Sequence, residues 1–189
     1  MINYKKINLK CLDNLKSYVV NEIKESVSPD GVSVITSNIV ILPDDILKMV
    51  NDELISYGVS SIEYCRVYLW PKGSVQTIHI DGSDNVLHCA INIPLYGGEN
   101  SKFQWFGGNF KLAPVNLPRT NQKAYYINWE STPYITESIE LKDGYYLIRI
   151  DQPHQAIAAT DSDRWMFTMR FKDNPSFEEL YDKLPASNI

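Results

Sequence analysis

The sequence predicts a mainly β fold of the sandwich or jelly-roll kind over residues 61–172, covered by helices drawn from residues 1–60. Three observations predict it. From Ile62 onward, apolar runs of strand length recur at intervals of about eight to twelve residues, punctuated by Gly and Pro turn clusters. The segment Arg164–Phe171 alternates strictly: Trp165, Phe167, Met169 and Phe171 share one face of a strand, and Arg164, Met166, Thr168 and Arg170 share the other. The well-marked helical periods, by contrast, come before residue 60.

In chain order, Leu12, Leu15, Val19 and Ile23 fall near a 3.6-residue period and predict a first helix. Val32–Thr36 reads as a strand. Pro43–Gly58 predicts a second helix, with Pro43 and two acids at its start and Gly58 at its stop. Tyr64–Trp70 follows as a strand. Tyr64, Arg66, Tyr68 and Trp70 lie on its inner face, and the apolar set Cys65, Val67 and Leu69 packs under the helices. Leu87–Ile93 alternates His88, Ala90 and Asn92 against Leu87, Cys89, Ile91 and Ile93. Turns are expected at Trp70–Gly73, Asp81–Asp84, Gly97-Gly98, Gly107-Gly108, Lys111–Asn121 and Asp143-Gly144. Ser176–Leu184 reads as a short tail helix. A chain of 189 residues fits one domain: helical cover 1–60, core 61–172 and tail 173–189.

Chemistry concentrates in His79-Ile80-Asp81, His154 and Arg164. On extended backbone, positions i and i+2 point the same way, so His79 and Asp81 can bind one ion while Ile80 packs oppositely. Two imidazoles and a carboxylate form the facial set that non-haem Fe(II) takes, leaving positions open for further ligands. Arg164 and Arg170 lie on a strand that buries both faces, and each needs an anionic partner there.

With these residues the chain resembles the Fe(II)- and 2-oxoglutarate-dependent dioxygenases over roughly residues 60–172. It is most similar to the small prolyl- and aspartyl-hydroxylase-like members. The matching positions are His79, Asp81, His154 and Arg164, together with Ala90–Leu95 and the Asp143-Gly144 turn. The resemblance implies a double-stranded β-helix (jelly roll) and His79, Asp81 and His154 as iron ligands and catalytic centre. Arg164 would grip the far carboxylate of the co-substrate 2-oxoglutarate, and dioxygen would be the oxidant. Tyr68, Asn92 and Thr168 are further candidates for contact with 2-oxoglutarate. Many members carry Ser or Thr two residues after the Arg, where this chain has Met166. Because Asp81 is kept, the resemblance implies hydroxylation, not halogenation, of an amino acid, peptide or other small polar substrate.

Several residues keep two readings. Arg66 and Tyr68 either face 2-oxoglutarate or substrate or belong to an ordinary amphipathic strand. His88 lines the pocket or is simply hydrogen-bonded. Trp105 is a substrate wall or core. The rival for the whole chain is a catalytically inactive jelly-roll module that binds a sugar or small ligand. A cupin-type isomerase lacks support, since its clustered histidines and Glu are not seen.

Composition bounds the partners. The net charge of −5, with no dense Lys/Arg stripe, argues against a nucleic-acid backbone as main partner. Cys11, Cys65 and Cys89 are odd in number without C-x-x-C spacing, which disfavours a disulfide framework. No apolar run of about eighteen residues and no leader pattern is present, so no membrane association and a cytoplasmic enzyme are expected.

Overall fold

A computed structural model describes residues 2–26, 36–82, 85–116 and 123–187. The elements are β1 (Tyr4–Ile7), α1 (Leu12–Ser26), β2 (Thr36–Val40), α2 (Asp44–Ser56), β3 (Ile62–Trp70), β4 (Cys89–Tyr96) and β5 (Lys102–Gly107). They continue with β6 (Phe110–Asn116), β7 (Lys123–Trp129), β8 (Tyr134–Ile139), β9 (Tyr145–Arg149), β10 (His154–Ile157), β11 (Arg164–Phe171) and α3 (Phe177–Lys183).

The strands form a six-stranded sheet, β1-β9-β4-β11-β3-β2, a three-stranded sheet, β10-β5-β8, and the hairpin β6-β7. Every strand pairing is antiparallel. Bridges from Val75 to Ile157 and from His79 to His154 dock residues 75–79 on the free side of β10. The chain therefore passes from one sheet to the other: β3 in the large sheet, 75–79 in the small one, β4 large, β5 and β8 small, β9 large, β10 small, β11 large. This alternation is a double-stranded β-helix, or jelly roll, with β6-β7 inserted between β5 and β8.

Strand alternation builds two cores. Cys65, Val67, Leu69, Ile91, Ile93, Leu147, Phe167, Met169 and Phe171 face the helices, where Leu12, Leu15, Val19, Val50 and Leu54 are buried against them. The opposite face of the large sheet meets the small sheet through Trp70, Ala90, Tyr146, Ile148, Met166, Phe103, Trp105 and Ala156. Fully burying each large aliphatic or aromatic side chain contributes about 1.5–3 kcal/mol, so most of the favourable term resides in these two layers.

The helices start and stop where the sequence marks them. Pro43 caps α2, Asp44 and Asp45 sit in its positive first turn, and Gly58 follows it at φ 70°. The Ser176 hydroxyl accepts from the Glu179 N–H at 3.2 Å and begins α3.

Three local features differ from the sequence expectations, and one expectation lies mostly outside the described residues. Of the strand read at Val32–Thr36, residues 32–35 lie outside the described residues, and β2 begins at Thr36. Within Lys111–Asn121, read as a turn, residues through Asn116 belong to β6, which pairs with β7 from Phe110↔Trp129 to Asn116↔Lys123, and residues 117–121 lie outside the described residues. Pro114 is admitted because a two-stranded ribbon leaves one edge of each strand without ladder bonds. Tyr4–Ile7, for which no strand was expected, pairs with β9. The His79-Ile80-Asp81 segment is extended backbone held by isolated bridges instead of a regular strand.

Candidate metal centre

The fold brings residues 79 and 154 together through their backbones. His79 N–H donates to the His154 carbonyl at 3.0 Å, and His154 N–H returns the bond at 2.9 Å. Asp81 N–H donates to the Ile150 carbonyl, and Ile80 between them is buried. The extended geometry thus puts His79 and Asp81 on one side, as their spacing requires.

The side chains converge. One ligand atom from each of His79, Asp81 and His154 lies within 4.8 Å of the other two. Asp81 Oδ1 is 3.1 Å from His79 Nε2 and 3.8 Å from His154 Nε2. Both imidazoles are oriented from behind: His79 Nδ1 lies 2.8 Å from the Thr77 carbonyl, and His154 Nδ1 lies 2.8 Å from the Gln152 carbonyl. A carbonyl can only accept, so Nδ1 carries the proton in each ring and Nε2 is turned to the common point. That is the tautomer a metal needs.

Charge is arranged to match. Burial alone would raise the Asp81 carboxyl, but Arg170 and the two imidazoles outweigh it and hold it well below the usual carboxylate range. Arg170 Nη2 donates to Asp81 Oδ2 at 2.5 Å, leaving Oδ1 for the histidine side. Burial, aided by the neighbouring His79, lowers His154 to about 3, so its ring stays neutral. Burial also acts to lower His79, but the hydrogen bond and charge of Asp81 raise it overall. Gln76 Nε2 stands 3.3 Å from His79 Nε2, and the Phe103 ring stacks on His154 at 5.1 Å. His154 is closed off with its side chain 4 % exposed, whereas His79 and Asp81 are open at 26 % and 21 %.

The donor set fits Fe(II): two imidazole Nε2 atoms and one carboxylate oxygen, with both rings oriented from behind and one side open. The residues also fit an anionic co-substrate. Arg164 is 1 % exposed, its Nε and Nη1 have no hydrogen-bond partner, and burial lowers it to about 10. Its guanidinium lies over the Trp70 ring at 4.9 Å. A buried cation with unused N–H groups calls for an acceptor.

The other sequence candidates are placed as follows. Tyr68 lies on the inner face of β3, stacked on Trp70 at 5.4 Å. Asn92 and Thr168 are buried and bonded to each other, Thr168 Oγ1 donating to Asn92 Oδ1. Arg66 donates to Ser37 Oγ at 3.3 Å and covers the Tyr64 ring. Trp105 is in the inter-sheet core, 1 % exposed, its indole N–H bonded to the Arg149 carbonyl at 2.8 Å. His88 pairs with Asp151 at 3.2 Å, apart from the His79–Asp81–His154 group. The alternation of β11 revealed its inner face but not the partner of Arg170. Its signal was the pair of guanidiniums on a doubly buried strand. Nothing in the sequence pointed to Gln76.

No family model matches the chain, and no curated protein does. Solved structures are similar in shape. The prolyl hydroxylase of Trichoplax adhaerens, solved with a hypoxia-inducible-factor peptide fragment, is 16 % identical over 91 % of this chain and 82 % of that one, with a TM-score of 0.49. The viral collagen prolyl hydroxylase of Paramecium Bursaria Chlorella virus-1, solved with 2-oxoglutarate, is 12 % identical over 89 % and 94 %, with a TM-score of 0.48. The vicilin of hazelnut, Corylus avellana, is 12 % identical over 77 % of this chain at a TM-score of 0.39, and the chain spans 31 % of that vicilin.

Proposed function

We propose that this chain is an Fe(II)- and 2-oxoglutarate-dependent oxygenase that hydroxylates an amino acid, peptide or other small polar substrate. The observation that carries the reading is the convergence of the His79, Asp81 and His154 ligand atoms on one point, and a buried arginine on β11 with N–H groups that no described residue accepts supports it.

His79, Asp81 and His154 would hold the iron, and Arg164 would take the distal carboxylate of 2-oxoglutarate. When bound, iron, co-substrate and dioxygen supply the oxidising chemistry, while the chain binds, orients and excludes water. Asp81 remains anionic under the field of Arg170 and supplies one negative charge to the donor set without losing a proton first. His154 is held neutral by burial with its lone pair at Nε2. Phe103 seals the His154 side against water, and substrate approaches from the open side beside His79, Asp81 and Gln76.

Anaerobic titration of the protein with Fe(II) and then 2-oxoglutarate tests the reading. A weak visible charge-transfer band that needs both components, and disappears in His154→Ala, is the expected result. A protein that binds neither Fe(II) nor 2-oxoglutarate overturns it and leaves the ligand-binding module as the better description.

A further inference from the structure

We propose that the indole N–H of Trp70 is the second hydrogen-bond donor, beside Arg164, for the distal carboxylate of 2-oxoglutarate; this rests on the co-substrate reading above. Trp70 and Arg164 are direct cross-strand partners in the β3–β11 register, so their side chains leave the same face of the large sheet as neighbours. The Arg164 guanidinium carbon is 4.9 Å from the Trp70 ring, and the two residues are 1 % and 5 % exposed.

Their hydrogen-bonding state is the informative part. Trp70 Nε1, Arg164 Nε and Arg164 Nη1 are all buried, and none has a partner among the described residues. Buried donors left without acceptors are rare in folded proteins. Here three fall on two touching side chains, and none of the three can accept a bond. Trp105 shows what a structural indole does in the same core: its Nε1 donates to the Arg149 carbonyl at 2.8 Å. Trp70 has no such carbonyl, and its plane is set by stacking on Tyr68 at 5.4 Å.

A group that satisfies only donors must be an acceptor with several lone pairs. A carboxylate has two oxygens and about four lone-pair sites, enough for two bonds from the guanidinium and one from the indole. The next inward residue on β11, Met166, faces Tyr68 and has no donor to offer. Ser74, on the turn after β3, also has a buried hydroxyl without a partner and is the competing candidate.

Trp70→Phe keeps an aromatic ring under Arg164 and removes the N–H. Calorimetry on Mn(II)-loaded protein compares 2-oxoglutarate with 2-oxopentanoate, which has the same carbon chain and no distal carboxylate. The expected result is roughly tenfold weaker 2-oxoglutarate binding, with affinities for Mn(II) and 2-oxopentanoate unchanged. An unchanged 2-oxoglutarate affinity in Trp70→Phe, or an equal loss for both ligands, overturns the proposal. So does a loss produced by Ser74→Ala alone. In the parent protein, one of the four indole N–H resonances should move on adding 2-oxoglutarate and stay in place with 2-oxopentanoate. That measurement holds even if the variant does not fold, and no movement refutes the assignment. A parent that binds Mn(II) but not 2-oxoglutarate removes the co-substrate reading itself, and the Trp70 role falls with it.

Discussion

Arg164 is held in the interior with two buried nitrogens that no described residue accepts, a cost that the proposed co-substrate carboxylate would offset. Burial is the sole cause lowering it to about 10, and two of its nitrogens, Nε and Nη1, have no partner among the described residues. Replacing it with an apolar residue of similar length should therefore trade binding for stability. Arg164→Met is expected to raise the melting temperature of the ligand-free protein and to weaken 2-oxoglutarate by at least a hundredfold. A desolvated charge pair broken on one side costs on the order of 3–5 kcal/mol. A variant that is destabilised and still binds 2-oxoglutarate at parental affinity would assign Arg164 to structure. Arg170 differs in having an ion-pair partner: its Nη2 donates to the half-buried Asp81 carboxylate at 2.5 Å. Arg170→Met leaves Asp81 without its counter-charge, so the metal-free protein should lose about 3–5 kcal/mol. A divalent ion would then take over part of that role, and added Mn(II) should stabilise the variant more than it stabilises the parent. Equal metal-induced shifts in melting temperature would show that Arg170 does not act through Asp81.

At the scale of elements, the joint between β4 and β5 governs where β11 begins. Gly97 has φ 63°, and a Cβ there would lie 1.7 Å from the Asp163 carbonyl oxygen and 3.1 Å from the Arg164 Cα. Gly58, after α2, has a comparable φ of 70° with nothing within 4 Å of an added Cβ. Gly58→Ala should therefore cost only the left-handed backbone term, about 1–2 kcal/mol. Gly97→Ala should cost clearly more in urea unfolding and also weaken 2-oxoglutarate, because the clash displaces the residue preceding Arg164. Equal losses at the two positions would contradict this account. The elements also differ in how readable they were. Arg164–Phe171 was legible to the residue because both of its faces are buried and its alternation is complete. The strand at Phe110–Asn116 was not, because its apolar alternation is short, Phe110 and Leu112 opposite Trp129 and Ile127, and Pro114 and the polar residues after it read as a turn.

For the molecule as a whole, the three thiols report on global unfolding. Cys11, Cys65 and Cys89 are free, buried in the helix-covered core, and each pushed up by burial to about 12 from an ordinary value near 9. The folded chain therefore holds on to thiol protons that the unfolded chain releases above pH 9. Their contribution is fully present below pH 9 and is lost progressively toward pH 12, so stability should fall with rising pH in that window. A thiol reagent at pH 8 should label none of the three until denaturant is added. Rapid labelling of the native protein would mean that the helical cover opens locally.

The sequence by itself determined the residue types, their periods and their local spacing: α2 between Pro43 and Gly58, the two-faced β11, and a His79-Ile80-Asp81 unit able to aim two ligands one way. Those features depend on a few neighbouring residues and on fixed helical and strand repeats, so they can be read without a fold. Only the tertiary structure decided that His154 meets His79 through paired backbone bonds, that Arg170 reaches across to Asp81, and that Trp70 and Arg164 lie together with buried donors that no described residue accepts. These contacts join residues 75 to 94 positions apart, and nothing local ties them together. They arise because the chain crosses repeatedly between two sheets, and the register of β11 between β3 and β4 settles which side chains end up as neighbours.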